Sequence, residues 1–199
     1  MEYHELESGM PLADFACPTP VALTPRRFGD ERGFFSETWN RRRSADLGID
    51  VDFVQDNQSL SRDVGVVRGL HCQAPPHEQG KLVRVIRGAV LDVAVDVRRG
   101  SPSYGRWSAI ILSEENGTQF YLPPGYLHGF VTRAPETEVL YKCTDYYAPE
   151  CERAVRYDDP GLGIDWGLGS RDAILSDKDR QAGTFKEFTS PFIYERITT

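Results

Sequence analysis

The chain has 199 residues, 40% hydrophobic and 27% charged, a globular composition long enough to bury a core in one domain spanning 1–199. With 30 acidic against 23 basic residues the net charge is -7, which argues against a general nucleic-acid surface and leaves any anionic ligand to a few placed arginines and lysines. No apolar run approaches the roughly 20 residues of a membrane-spanning helix, and the acidic start Met1-Glu2-Tyr3-His4-Glu5 lacks the basic, then apolar, pattern of an export signal.

In chain order, residues 39–48 predict a short helix. From about 52 to 142 the sequence consists of short alternating or β-branched runs punctuated by Gly and Pro, which predicts an all-β core. Residues 81–87 and 90–97 read as strands, and Gly88-Ala89 between them, with glycine at the first central position, predicts a type II′ hairpin. In the second of these strands Leu91, Val93, Val95 and Val97 share one face while Asp92, Ala94 and Asp96 share the other. One face is therefore expected in a core and the other toward a polar lumen.

Further strands are expected at 106–112, 118–122, 129–133 and 138–144, with turns at Glu115-Asn116-Gly117 and Pro123-Pro124-Gly125. Many short strands with regular turn signals point to a barrel or jelly roll. The Gly-, Pro- and Asp-rich stretch 148–170 predicts ordered loop, and Ser176-Asp177-Lys178-Asp179 predicts a helix start with serine as N-cap. Cys17, Cys72, Cys143 and Cys151 form no C-x-x-C pair, so neither a disulfide framework nor a thiolate zinc site is expected, and a reducing, cytoplasmic setting is.

The chemistry-bearing residues gather around Arg68-Gly69-Leu70-His71-Cys72-Gln73 and Lys81. Strand alternation puts His71 on the face of Gln73, opposite Leu70. Pro123-Pro124-Gly125-Tyr126-Leu127-His128 resembles the second motif of cupins, whose histidine points into the barrel. A metal-binding cupin would pair it with H-x-H, and this chain has His71-Cys72-Gln73, with glutamine, a poor ligand for a first-row metal, in the second place. A metal site built from His71, His77 and His128 is the minority alternative. Without a metal, an imidazole, a tyrosine and a lysine suit proton abstraction next to a carbonyl, where the enolate must be stabilised as it forms. On composition alone Tyr141 reads equally as barrel packing. Nucleotide-cofactor, hydrolase-elbow and zincin motifs are missing from the sequence.

The sequence resembles the dTDP-4-dehydrorhamnose 3,5-epimerase family over nearly its whole length. The resemblance rests on Asp30-Glu31-Arg32-Gly33-Phe34-Phe35-Ser36-Glu37, Gln55-Asp56-Asn57, the His71 and Lys81 segments, Asp92-Val93-Ala94-Val95-Asp96-Val97-Arg98, the His128 segment, Leu140-Tyr141-Lys142-Cys143-Thr144-Asp145-Tyr146-Tyr147 and Leu175-Ser176-Asp177-Lys178-Asp179. It implies a cupin-type jelly roll (double-stranded β-helix) with a few short helices, and a homodimer that works without metal or cofactor. It implies His71 as general base paired with Asp179, Tyr141 as proton donor on the opposite face of the sugar, and Lys81 at the enolate oxygen on C4. It also implies substrate contacts from Arg32, Glu37, Gln55, Asn57, Arg68, His128, Glu152 and Lys178, with Tyr147 stacked on thymine.

Asp92 lies on the polar face of its strand and is an alternative carboxylate for His71. The reaction expected is epimerisation at C3 and C5 of dTDP-4-dehydro-6-deoxy-D-glucose, giving dTDP-4-dehydro-L-rhamnose. A single-carbon epimerase or ketoisomerase of a related nucleotide-linked 4-ketosugar is the alternative, and a non-catalytic sugar-nucleotide-binding cupin ranks below it.

Overall fold

A computed structural model describes residues 2–3 and 19–194. Cys17 and most of the acidic N-terminus therefore lie outside the described residues. The elements are β1 (Glu2–Tyr3), β2 (Val21–Thr24), β3 (Phe28–Asp30), β4 (Gly33–Phe35), α1 (Arg41–Ala45), β5 (Gln55–Ser61), β6 (Val67–Gln73), β7 (Lys81–Arg87), β8 (Ala89–Asp96), β9 (Trp107–Ser113), β10 (Gln119–Leu122), β11 (Tyr126–Thr132), β12 (Thr137–Cys143), a 3-10 turn (Pro149–Cys151), β13 (Glu152–Ala154) and α2 (Asp177–Arg180). No helix among the described residues is long and apolar enough to cross a membrane.

The strands make a six-stranded sheet in the order β1-β2-β10-β7-β12-β5, a five-stranded sheet in the order β13-β6-β11-β8-β9, and a separate two-stranded ribbon, β3-β4. The two large sheets face each other across a core. Val83, Val85, Phe120, Leu122 and Val139 of the first sheet pack against Val90, Ala94, Leu112, Tyr126 and Phe130 of the second. This is the jelly roll expected of the sequence, and the strand pairs of its two large sheets among the described residues are antiparallel.

The expected hairpin does not form. The strands lie where expected, but β7 pairs with β10 and β12 while β8 pairs with β11 and β9, so the Gly88 turn carries the chain from one sheet to the other. Gly88 has φ +75, and a Cβ there would lie 2.4 Å from Thr137 Oγ1, so only glycine fits this corner.

Alternation along β8 holds, yet both of its faces are buried. Val90, Asp92 and Ala94 look into the space between the sheets. Val93, Val95 and Val97 look outward, where they are covered by Leu162, Trp166 and Phe192 of the C-terminal segment. That segment contains the 3-10 turn and β13 within the stretch expected to be loop, because β13 adds an edge to β6. Both turns occur as predicted. Asn116 organises the first, its Oδ1 accepting from the backbone N–H groups of Ser113 and Thr118 at 3.1 and 2.9 Å. The helix expected over 39–48 is shorter, starting after Asn40, whose side chain caps the N–H groups of Arg42 and Arg43.

Candidate active site

Register decides which side chains meet. On the six-stranded sheet Lys81, Cys143 and Gln55 lie across from one another, and the next inward row is Val83, Tyr141 and Asn57. On the five-stranded sheet His128 lies opposite His71. The inner faces of both sheets therefore converge on one cleft of two adjoining lobes that share His71, Lys81 and Tyr141. One lobe adds Gln55, Asn57, Tyr147 and Glu152; the other adds Ser59, Arg68, His128, Ser176 and Asp179.

Simple alternation puts Arg68 and His71, three residues apart, on opposite faces. A register shift in the β6–β11 pair sets Arg68 opposite Phe130 and His71 opposite His128, so both line the same lobe. Two glycines permit this crossing: Gly69 has φ +120, and a Cβ on it would meet the Cα of Gly129 at 2.6 Å.

His71 Nε2 lies 2.6 Å from Asp179 Oδ1. Asp179 is 5% exposed and is placed by α2, whose N-cap is Ser176. The Ser176 hydroxyl donates to Asp179 Oδ2 at 2.7 Å and accepts from the Asp179 backbone N–H at 3.1 Å. Burial pushes the Asp179 carboxyl up, but the contacts with His71 and Ser176 outweigh it, so the group stays ionised below the ordinary carboxylate range. The Asp179 contact falls on Nε2 and leaves Nδ1 as the other ring nitrogen.

Asp92 makes a different pair, its Oδ1 2.8 Å from His128 Nε2. The carboxylate against His71 is thus Asp179. His77, the third histidine of the metal alternative, sets Nδ1 3.0 Å from Asp145 Oδ2 instead. Among the described residues no group of three His, Cys, Asp or Glu side chains could hold a metal ion.

Burial, then the neighbouring Cys143, pushes the Tyr141 phenol above its ordinary value, which keeps it a proton donor at neutral pH. Cys72, also in the cleft wall, is pushed up to about 12, chiefly by burial, so it is an unreactive thiol. Burial raises the Glu152 carboxyl, but Lys178 and then Tyr147 hold it below its ordinary value; Lys178 pairs with Glu152 Oε1, and the Tyr147 hydroxyl donates to Oε2 at 3.0 Å.

Two residues expected at the site stand apart from the cleft. Arg32 turns back on Asp30 at 2.6 Å, and Glu37 meets Arg43 at 3.0 Å. Conversely, Ser59 lines the cleft without being among the expected residues, although the period-two spacing Gln55-x-Asn57-x-Ser59 marks all three for one face. Ser176, legible in the sequence as an N-cap, also holds the carboxylate three residues on.

The sequence profile of the dTDP-4-dehydrorhamnose 3,5-epimerase family matches residues 15–187. The chain is 51% identical over 174 residues to the dTDP-4-dehydrorhamnose 3,5-epimerase of Pseudomonas aeruginosa, covering 86% of this chain and 94% of that one. It is 47% identical over 179 residues to the enzyme of the same name from Sinorhizobium fredii, covering 88% and 89%. The crystal structure of the dTDP-6-deoxy-D-glucose-3,5-epimerase of Legionella pneumophila in complex with dTDP-4-keto-L-rhamnose superposes with a TM-score of 0.84 at 46% identity, covering 88% of this chain and 94% of that one. A jelly roll whose facing sheets bring an imidazole–carboxylate pair, a lysine and a tyrosine to one cleft, with likeness of this extent, makes the chain a member of the dTDP-4-dehydrorhamnose 3,5-epimerase family of isomerases.

Proposed function

We propose that this protein epimerises C3 and C5 of dTDP-4-dehydro-6-deoxy-D-glucose, giving dTDP-4-dehydro-L-rhamnose. The observation that carries this reading is the placement of His71 and Tyr141 on opposite sheets of one cleft, with Lys81 shared by both lobes. Epimerisation needs a base on one face of the ring and an acid on the other. The C3 and C5 protons are acidic because each carbon adjoins the C4 ketone.

His71 takes the proton on Nδ1, and Asp179 stabilises the imidazolium that forms. Lys81 offsets the charge that develops on the C4 oxygen. Tyr141 then delivers a proton to the opposite face. His71 releases its proton to water and Tyr141 regains one, so each half-cycle balances. Arg68, Gln55, Asn57, His128, Glu152 and Lys178 are proposed substrate contacts, and Tyr147 the stacking partner of thymine.

A homodimer completes the proposal. The ribbon β3-β4 carries Phe28, Phe34 and Phe35 at 53%, 62% and 70% exposure, an apolar surface unusual for a free-standing hairpin. Packing that ribbon on a second copy would cover it and carry Arg32 and Glu37 toward the partner's cleft. Buried free thiols at Cys72, Cys143 and Cys151 fit a reducing, cytoplasmic setting.

The test is proton NMR of the protein with dTDP-4-dehydro-6-deoxy-D-glucose in heavy water. Deuterium entering both C3 and C5 is the expected result. Entry at C3 alone would make it a single-carbon epimerase, and entry at neither would overturn the reading.

A further inference from the structure

Gln73 occupies the place where a metal-binding cupin has its second histidine, and its side chain is fully committed elsewhere. The residue is 4% exposed. Its Nε2 donates to the carbonyl oxygens of His77 at 2.6 Å and Tyr146 at 3.1 Å, while Oε1 accepts from the backbone N–H of Ala148 at 2.8 Å. A primary amide has two N–H donors, so both are spent on main chain. The opposite orientation of the amide would set its oxygen against two carbonyls.

The Tyr146 carbonyl and the Ala148 N–H flank Tyr147. The Tyr147 N–H itself donates to Gln55 Oε1 at 3.0 Å, and its hydroxyl donates to Glu152 at 3.0 Å. The same loop is tied to the 74–80 segment by Gln79 Nε2, which donates to the Asp145 carbonyl at 2.7 Å, and by the His77–Asp145 contact at 3.0 Å. Tyr147 is thus fixed at its backbone on both sides and at its hydroxyl, yet 56% of it stays exposed. An exposed aromatic ring that is already immobile loses little further freedom when a flat base stacks on it.

We propose that Gln73 is a positioning residue that pre-orders Tyr147 as the platform for the substrate's nucleobase. The inference rests on the reading of Tyr147 as the thymine partner. Gln73 moves no proton; it acts on affinity through the 145–148 loop.

The test compares wild type with Gln73→Met, which keeps length and volume but removes all three hydrogen bonds, and with Gln73→Glu, which keeps the acceptor and loses the donors. His77→Ala loosens the same loop from outside the core. Calorimetry gives the Kd for dTDP, and deuterium entry at C3 and C5 gives kcat and KM. In Gln73→Met, Kd and KM rise about tenfold, the scale of one or two lost hydrogen bonds, while kcat stays within about threefold. Gln73→Glu sets an oxygen against the His77 and Tyr146 carbonyls and raises Kd at least as much as Gln73→Met, and His77→Ala moves Kd the same way by less. Unchanged dTDP affinity in folded Gln73→Met overturns the proposal, and so does a fall in kcat at constant KM. If Gln73→Met does not fold, unchanged affinity in His77→Ala overturns it. Wild type that neither binds dTDP nor exchanges protons instead sinks the functional reading, a result obtained before any substitution is made.

Discussion

Replacing Asp179 by asparagine tests the proposed base where it is most exposed to a single atom change. The substitution preserves shape and can keep a hydrogen bond to Ser176, but it removes the negative charge 2.6 Å from His71 Nε2. A contact to a charged group contributes about 1.5–3 kcal/mol net, and the imidazolium develops fully only as the substrate proton transfers. Each 1.4 kcal/mol is about tenfold in rate, so the charge alone accounts for roughly 10–100-fold in kcat/KM. An asparagine also presents an N–H to Nε2 and favours the tautomer with hydrogen on Nδ1, the wrong nitrogen to be protonated before reaction. That raises the expected loss to about 10²–10⁴. Stability should fall modestly, because the asparagine forfeits part of the interactions that hold the Asp179 carboxylate below its ordinary range. The assay is the initial rate of deuterium entry at C3 and C5, with dTDP affinity measured beside it. Asp179→Asn exchanging within about threefold of wild type, at unchanged dTDP affinity, would refute the assignment of Asp179 to the reaction.

Three further outcomes are expected. Tyr141→Phe should still exchange protons from the substrate while forming the epimerised product at least about 10²-fold more slowly, read as exchange against product in one NMR series. Because burial raises the Tyr141 phenol above its ordinary value, any alkaline loss of activity that depends on it has its midpoint above that of a free tyrosine, and Tyr141→Phe should abolish that limb of the profile. Gly88→Ala should destabilise by about 2–4 kcal/mol from the positive φ and the Thr137 clash, lowering Tm by roughly 5–15 °C in calorimetry. Asp96 is raised by burial but held below 3.8 overall by bonds from Arg98, Ser101 and Ser103, so its stabilisation is present above the unfolded value and lost as pH falls through the folded one. Acid unfolding followed by circular dichroism should therefore show a steep loss below about pH 4 that is flattened in Asp96→Asn.

How far the sequence carries can be judged residue by residue. The alternation in 81–97 and the punctuation by Gly and Pro gave the strands and their faces, because those signals are local. Pairing partners were not local: Gly88 reads as a hairpin turn, and only the competition between neighbouring strands sends β7 and β8 to different sheets. Arg68 beside His71 was equally hidden, since a bulge at Gly69 reverses the parity that alternation predicts. The choice between Asp92 and Asp179 lay open for the same reason. It is decided by where Ser176 starts α2 and by the His128–Asp92 pairing, both properties of the assembled molecule.

The strand order also sets when this cleft can come into being on a growing chain. β5 waits for β12, β2 waits for β10, and β6 waits for both β11 and β13, so among the large-sheet pairings β8–β9 is one of the few between neighbours in sequence. Loop closures of that span are slow compared with local hairpins. His71 is synthesised early, but Asp179 emerges only after every barrel strand. A nascent chain halted before α2 would hold the imidazole, the lysine and the tyrosine and still lack the carboxylate that makes them a proton-transfer device.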